Sequence, residues 1–539
     1  MSNLSRRAVL SGATAVAGAG ALPRPARAAG EDGTRAGTAD GLVTVRPGDP
    51  RYGDLVVGNN QRWVASPEAV HLVRTTAETV AVVAEAVRSG KRLSVRSGGH
   101  CYADFVYHAD ADVIVDLSTM NRIGFDTGRQ AFMVEAGARL GEIYDTLYRR
   151  WGVAVPGGVC PYVGIAGHAT GGGYGLLSRR HGVVADHIEA VEVVVADEEE
   201  GARAVIASRE STGALRELWW ACTGGGGGSF GVITRFWFRS AGASGPDPGG
   251  LLPRPPQEML ASFGELPWEG LTEEAFTALV RNFGTWYTDN AAAGAPLDSV
   301  SGGVFLRHRA NLAIPVLCVM DGTVPGAEGM LAEHVAALTA GTGMPDLPAR
   351  RLAWLDLVRL IGNLDPGTLT DSTKRSAVKS AYMRGPFTRA QCAAMYAAMS
   401  REDYANPEAT VTLYAVCGGP GNDVPEDAVA YAHRNASYLA LFESFWSDPG
   451  EDEAHLAWQR GLYADVFADS GGYPVPGDRY DGCYINSPDP DLTDPAYNAS
   501  GVPWHRLYFK DNYARLQETK RLWDPADVFR HRHSVRLPS

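Results

Sequence analysis

Glycine is bunched in this chain, and that bunching constrains the fold more than any other feature. Of 63 glycines, runs stand at 98–99, 157–158, 171–173 and 224–228. Consecutive glycines let backbone N–H groups approach a large anion with no Cβ in the way. No fixed period separates the runs, which excludes collagen-like and solenoid architectures and points to glycine-lined loops in a globular fold. Three loops stand out: Arg96-Ser97-Gly98-Gly99-His100, residues 156–175, and residues 224–231 (GGGGGSFG). No Lys-Ser/Thr follows any of them, so the P-loop pattern fails. Gly226, Gly228 and Gly231 match Gly-x-Gly-x-x-Gly but lead into the strand-like run 232–238, whereas an ordinary nicotinamide site needs a helix there.

At 539 residues, 45% of them hydrophobic, the chain can bury a large core and is expected to form at least two domains. Its formal net charge of -13 argues against a sequence-independent nucleic-acid binder, which needs a concentrated basic surface. Seven scattered cysteines are too few for a disulfide scaffold, and no C-x-x-C pair or Cys/His cluster offers metal spacing, so no metal is expected.

Ser5-Arg6-Arg7, an apolar small-residue stretch over 8–22 and Ala26-Arg27-Ala28 read as a twin-arginine export peptide spanning residues 1–28. The stretch is too short and too weakly apolar to anchor in a membrane. Its removal takes away Arg6, Arg7, Arg24 and Arg27 and no acid, leaving a more acidic, secreted chain. Residues 41–240 alternate short β-branched runs (93–95, 113–115) with helical ones (77–87, 140–151), an α+β domain. The Gly/Pro/Ser-rich stretch 240–256 marks a boundary. A second domain over 257–476 carries strand-like runs at 303–307, 314–320 and 410–417, separated by amphipathic stretches such as 425–445, an antiparallel sheet covered by helices. The segment 477–539 is expected to return to the first domain.

Together these loops, with Pro156-Gly157-Gly158-Val159-Cys160, Gly171-Gly172-Gly173-Tyr174-Gly175, 219–231, Lys379-Ser380-Ala381-Tyr382, Tyr484-Ile485-Asn486, Tyr508-Phe509, Asn512-Tyr513 and Asp524-Pro525, resemble the FAD-linked oxidases of the vanillyl-alcohol oxidase superfamily. The resemblance is strongest to the berberine-bridge-enzyme-like branch and its bacterial carbohydrate oxidases of antibiotic tailoring. It implies a two-subdomain PCMH-type FAD-binding domain followed by a substrate domain. It also implies FAD bonded twice: the 8α-methyl carbon to His100 and flavin C6 to Cys160. Arg96 and the backbone of Ser97, Gly98 and Gly99, with the Gly171, Gly172 and Gly173 loop, are implied on the pyrophosphate side, Ile233 near the adenine and Asn486 near the flavin ring. Cys101, beside the attachment histidine, reads as a small packing residue, and His168 as a hydrogen-bonding member of its loop.

A flavin that accepts hydride needs a substrate C–H beside an ionisable O–H and a base to take that proton. In carbohydrate-oxidising relatives the base is a tyrosine, which requires a nearby donor or positive charge. Tyr484 is the first candidate, Tyr174 the second, and Tyr414 is expected to line the pocket. Relatives often read Tyr-x-Asn-Tyr, whereas Ser487 stands here in the last place, so the substrate is larger or held differently. Val163, third after Cys160, resembles the form that lets oxygen reach the flavin. The expected partners are a small-molecule substrate (a sugar or glycosylated natural product) and molecular oxygen, with no nucleic acid and no stable membrane insertion. Open alternatives are a natural-product alcohol oxidase or oxidative cyclase, a dehydrogenase using another acceptor, and a flavin-carrying binding protein with little turnover.

Overall fold

The β-branched runs before residue 240 pair into two sheets. The computed structural model describes residues 41–292, 296–364 and 370–539; the export peptide expected over 1–28 lies outside the described residues. Strands β1 (Val43–Val45), β2 (Ala69–Leu72), β3 (Leu93–Arg96) and β4 (Val113–Asp116) form a sheet in the order β1-β2-β4-β3. β2 and β3 both run parallel to β4, which requires crossover connections, and the helix Thr76–Arg88 supplies one. That helix begins where Thr75 Oγ1 accepts from the Glu78 N–H (3.1 Å). It turns Thr79, Val82, Val83 and Ala86 into the core.

Strands β5 (Ile123–Asp126), β6 (Ala131–Glu135), β7 (Ile188–Asp197), β8 (Gly201–Ser208) and β9 (Val232–Phe238) form an antiparallel sheet in the order β5-β6-β9-β7-β8. Helix Leu140–Trp151 stops at Gly152, whose φ of 69° is the left-handed conformation that glycine adopts freely. The chain then runs into the loop bearing Cys160.

The third sheet is antiparallel and has eight strands: β10 (Glu258–Pro267), β11 (Ser301–Arg307), β12 (Ala313–Asp321), β13 (Ala349–Ala353), β14 (Arg375–Met383), β15 (Thr410–Tyr414), β16 (Tyr438–Trp446) and β17 (Tyr480–Gly482), in the order β13-β10-β12-β11-β15-β16-β14-β17. Helices Glu273–Asp289, Ala327–Thr339 and Asp452–Val466 pack against it, and Arg389–Met399 packs on the first and last of these. The α+β class, with an antiparallel sheet under helices, is the architecture observed.

Two expectations need correction. The stretch 425–445 is not a helix: residues 425–437 carry no regular element, and the run YLALFESFW forms β16, buried at every position between β15 and β14. A run apolar on both faces suits a doubly covered strand as well as a buried helix, so periodicity cannot separate them. The strand expected over 410–417 ends at Tyr414.

The tail contributes to two regions. Residues 480–482 add β17 to the edge of the third sheet against β14. Helix Tyr513–Trp523 packs on helix Gly213–Ala221, with Arg515 clamping Glu217 at 2.6 and 3.0 Å and Trp523 Nε1 donating to the Ala214 carbonyl (2.9 Å). Lys520, wholly buried, donates to Asp524 (2.6 Å) and to the carbonyls of Ser229 (2.8 Å) and Phe529 (2.6 Å). Among the described residues no helix is long and apolar enough to cross a membrane.

Candidate active site

β3 delivers Arg96 to the first glycine loop. Arg96 is committed to protein partners, Asp116 (2.7 Å) and the Tyr107 hydroxyl (2.8 Å), so it braces the loop from behind. Ser97 Oγ donates to the Ala136 carbonyl (2.6 Å). Gly98 backs onto Gly164: a Cβ on Gly98 would sit 2.3 Å from the Gly164 nitrogen, and one on Gly164 would sit 2.2 Å from Ser97 Oγ. The two loops meet at backbone distance because neither has a side chain there. Among the described residues the N–H groups of Gly98, Gly99 and His100 have no protein acceptor. Orphaned donors at the end of a strand are what a pyrophosphate would satisfy.

The triplet at 171–173 behaves otherwise. Gly171 and Gly172 N–H groups both turn to the Ala169 carbonyl and Gly173 N–H donates to Tyr484 Oη (3.2 Å). Its donors are spent inside the protein, in contrast to those of residues 98–100. Ile233 is buried in β9, paired with Val193.

His100 has the protonation state its expected chemistry needs, whereas Cys160 rests as a thiol. Burial, reinforced by Arg139 and Arg96, lowers the His100 pKa to about 4, so its imidazole is neutral and nucleophilic at neutral pH. Burial raises the Cys160 thiol, while the N–H groups of Tyr162 and Val163 point at the sulfur and oppose that rise. Cys101 is half-buried, its thiol pushed up to about 12, mainly by desolvation. Orphaned amides, a neutral histidine and a cysteine sulfur facing two N–H donors form a donor set that fits a flavin dinucleotide.

The three candidate tyrosines, from three distant parts of the sequence, converge. The Tyr174 ring lies 5.1 Å from Tyr484 and 6.2 Å from Tyr414, and Phe305 closes on Tyr414 at 5.8 Å. Burial, with Tyr414 and Tyr484 adding to it, raises the Tyr174 phenol well above its ordinary value. Burial also raises Tyr484, opposed by donors from Asn486 and Gly173. Asn486 gives its amide hydrogens to Tyr484 Oη (2.9 Å) and the His168 carbonyl (3.0 Å), leaving Oδ1 as the atom it could offer to a flavin. His168, neutral with its pKa lowered to about 4 by burial, accepts from the Gly158 N–H (3.2 Å).

Tertiary structure adds residues to which the sequence assigned no role. Glu443, inside β16, is a buried acid accepting from Thr412 Oγ1 (3.1 Å). It acts electrostatically on both Tyr174 and Tyr102, and Tyr102 also feels Cys160, so the cysteine and the tyrosine cluster share one region. A single charged residue in a nine-residue run that is otherwise apolar except for Ser444 was the signal available for it. Tyr382, on β14, stands 5.9 Å from Tyr484 and accepts from the Tyr431 hydroxyl (2.9 Å).

Residues 67–200 match the family model described as FAD binding domain, and 483–536 the model described as Berberine and berberine like. The aclacinomycin-N/aclacinomycin-A oxidase of Streptomyces galilaeus is 45% identical, over 100% of this chain and 99% of that protein. The hexose oxidase of Chondrus crispus is 28% identical over 90% and 93%. The crystal structure of a glycopeptide hexose oxidase complexed with teicoplanin superposes with a TM-score of 0.86 at 40% identity, covering 92% of this chain and 99% of that one. The fold and these matches define an FAD-dependent oxidoreductase. The chain belongs to the berberine-bridge-enzyme-like family of FAD-linked oxidases.

Proposed function

We propose that this chain is an exported oxidase of a sugar hydroxyl, carried free or on a glycosylated natural product, with FAD bonded through His100 and Cys160. The convergence of Tyr174, Tyr414 and Tyr484 beside the Cys160 region carries the reading, because oxidation of an alcohol requires a base next to the electron acceptor. Bound FAD supplies the two-electron acceptor. Tyr484 takes the hydroxyl proton as the carbon–oxygen bond becomes a carbonyl; Tyr174 holds the substrate oxygen or assists that transfer, and Tyr414 lines the pocket. The neutral imidazole of His100 and the Cys160 sulfur hold the ring in a fixed orientation, and the amides of residues 98–100 face the pyrophosphate. Val163 favours oxygen as final acceptor, with hydrogen peroxide as product. The names of the Streptomyces relative and the teicoplanin complex support a sugar presented on a larger molecule, as does Ser487, a small residue where relatives often carry a tyrosine.

The test is anaerobic mixing of the flavin-loaded protein with free hexoses, methyl glycosides and a glycosylated anthracycline, following flavin absorbance. Bleaching by at least one sugar-bearing compound, and rapid recovery with stoichiometric peroxide on admitting air, is the expected result. Bleaching only by non-sugar alcohols would move the assignment to a natural-product alcohol oxidase, and recovery with a quinone but not air to a dehydrogenase.

A further inference from the structure

The glycine triplet that reads in the sequence as an anion cradle is filled by side chains. A Cβ on Gly171 would lie 2.1 Å from Asn486 Oδ1, one on Gly172 would lie 2.5 Å from the Tyr431 ring, and one on Gly173 would lie 2.8 Å from the His168 ring. Gly172 and Gly173 also have φ of +112° and +76°, which disfavours any side chain there. In the space so left, Asn486 Nδ2 (2.9 Å) and Gly173 N–H (3.2 Å) both donate to Tyr484 Oη. Ser380 Oγ on β14 accepts from the Tyr484 backbone N–H (2.9 Å) and sets its place in the chain. The phenol oxygen therefore accepts twice, and among the described residues its own hydrogen has no protein acceptor.

We propose that Asn486 and the Gly173 amide form an anion hole for the Tyr484 phenolate, and that the 171–173 loop is glycine because it is the socket for that donor pair. This rests on the reading of Tyr484 as the base. Burial opposes ionisation of a phenol, and fixed N–H dipoles aimed at its oxygen count for more in a water-poor site than in water. The titratable groups around Tyr484 are Tyr174, Tyr382, Tyr431 and Cys417, with Glu443 acting on Tyr174. Of the cations around this cluster, Arg434 lies over the Tyr431 ring and is paired with Asp186, and Arg179 donates to the Cys417 carbonyl (2.9 Å). When Tyr484 ionises, its O–H bond breaks and the proton passes to buffer, and the donor pair favours that form over the same phenol without it. With substrate bound, a new O–H bond forms with the substrate hydroxyl proton. Asn486 is a positioning residue: it touches the base and not the reacting carbon.

The test is a fluorinated tyrosine of lowered intrinsic pKa placed at position 484 of the flavin-loaded protein, its 19F resonance followed against pH. Asn486→Ala should raise the titration midpoint by about one pH unit or more, a tenfold or greater loss of preference for the phenolate. Asn486→Asp keeps the shape, replaces the donor with a carboxylate and should raise it further. Gly171→Ala, which presses on the Asn486 amide, should move it the same way. Coincident midpoints in the Asn486 variants and the parent, including absence of titration in all of them, would overturn the proposal. The base reading is judged separately: a Tyr484→Phe protein whose flavin is reduced at nearly the parent rate rejects the base role, while separated midpoints would still establish the donor pair.

Discussion

Tyr484 is one tyrosine of 21, and what distinguishes it is the set of atoms around its oxygen. General-base assistance is typically worth about 100- to 10,000-fold, so Tyr484→Phe should slow anaerobic flavin reduction by that range while the flavin stays attached. Stopped-flow absorbance measures it, and a loss of only a few-fold would pass the role to Tyr174 or Tyr414. For attachment, flavin colour should remain with the polypeptide after acid precipitation, should remain in either His100→Ala or Cys160→Ala alone, and should be released when both are changed; free FAD from the unmodified protein would reject the double linkage. At this scale the motifs located His100, Cys160 and the tyrosines. They did not reveal that the Gly173 amide turns to Tyr484, because whether a glycine exposes its N–H to a ligand or to a neighbouring side chain can depend on a residue hundreds of positions away.

Strand β14 shows how an element can be governed by a few buried charges. Lys379, 2% exposed, donates to Asp489 (2.6 Å) and Asp491 (2.8 Å), and Arg460 clamps Asp491 at 2.7 and 2.8 Å. The next residue, Ser380, holds the backbone of Tyr484. The network thus fastens the segment carrying Tyr484 and Asn486 to the sheet. Removing one member of a buried ionic network typically costs about 3–5 kcal/mol, because the remaining charges stay desolvated. Lys379→Met should lower the urea midpoint accordingly and slow flavin reduction as Tyr484 loses its register; an unchanged midpoint would show the network to be energetically neutral. The sequence marked Lys379-Ser380-Ala381-Tyr382 as a motif without its partners, and β16 escaped notice because its period is hidden by burial on both faces.

For the molecule as a whole, several histidines and one aspartate tie stability to pH. Burial holds His168 and His531 to pKa values of about 4 and His334 to about 3, below the ordinary value of 6.5. The unfolded chain therefore binds protons between these values and the folded one does not, so stability falls as pH drops below about 6.5, by up to about 1.4 kcal/mol per pH unit for each histidine. Burial alone would raise Asp491, but Arg460 and Lys379 hold it at about 2, so its contribution, on the order of 2 kcal/mol, is lost as pH falls from about 4 toward 2. Urea midpoints should be lower at pH 5 than at pH 7, and equal midpoints would mean that the unfolded state titrates like the folded one. The α+β class, the glycine loops, and the candidate histidine, cysteine and tyrosines were legible in the sequence, since turn chemistry, β-branched runs and short motifs are local signals. Three features come from tertiary contacts instead: residues 480–482 join the third sheet, Glu443 lies by the tyrosines and Asn486 donates to Tyr484. Each of these depends on desolvation and on contacts between segments far apart in the chain, which no local pattern encodes.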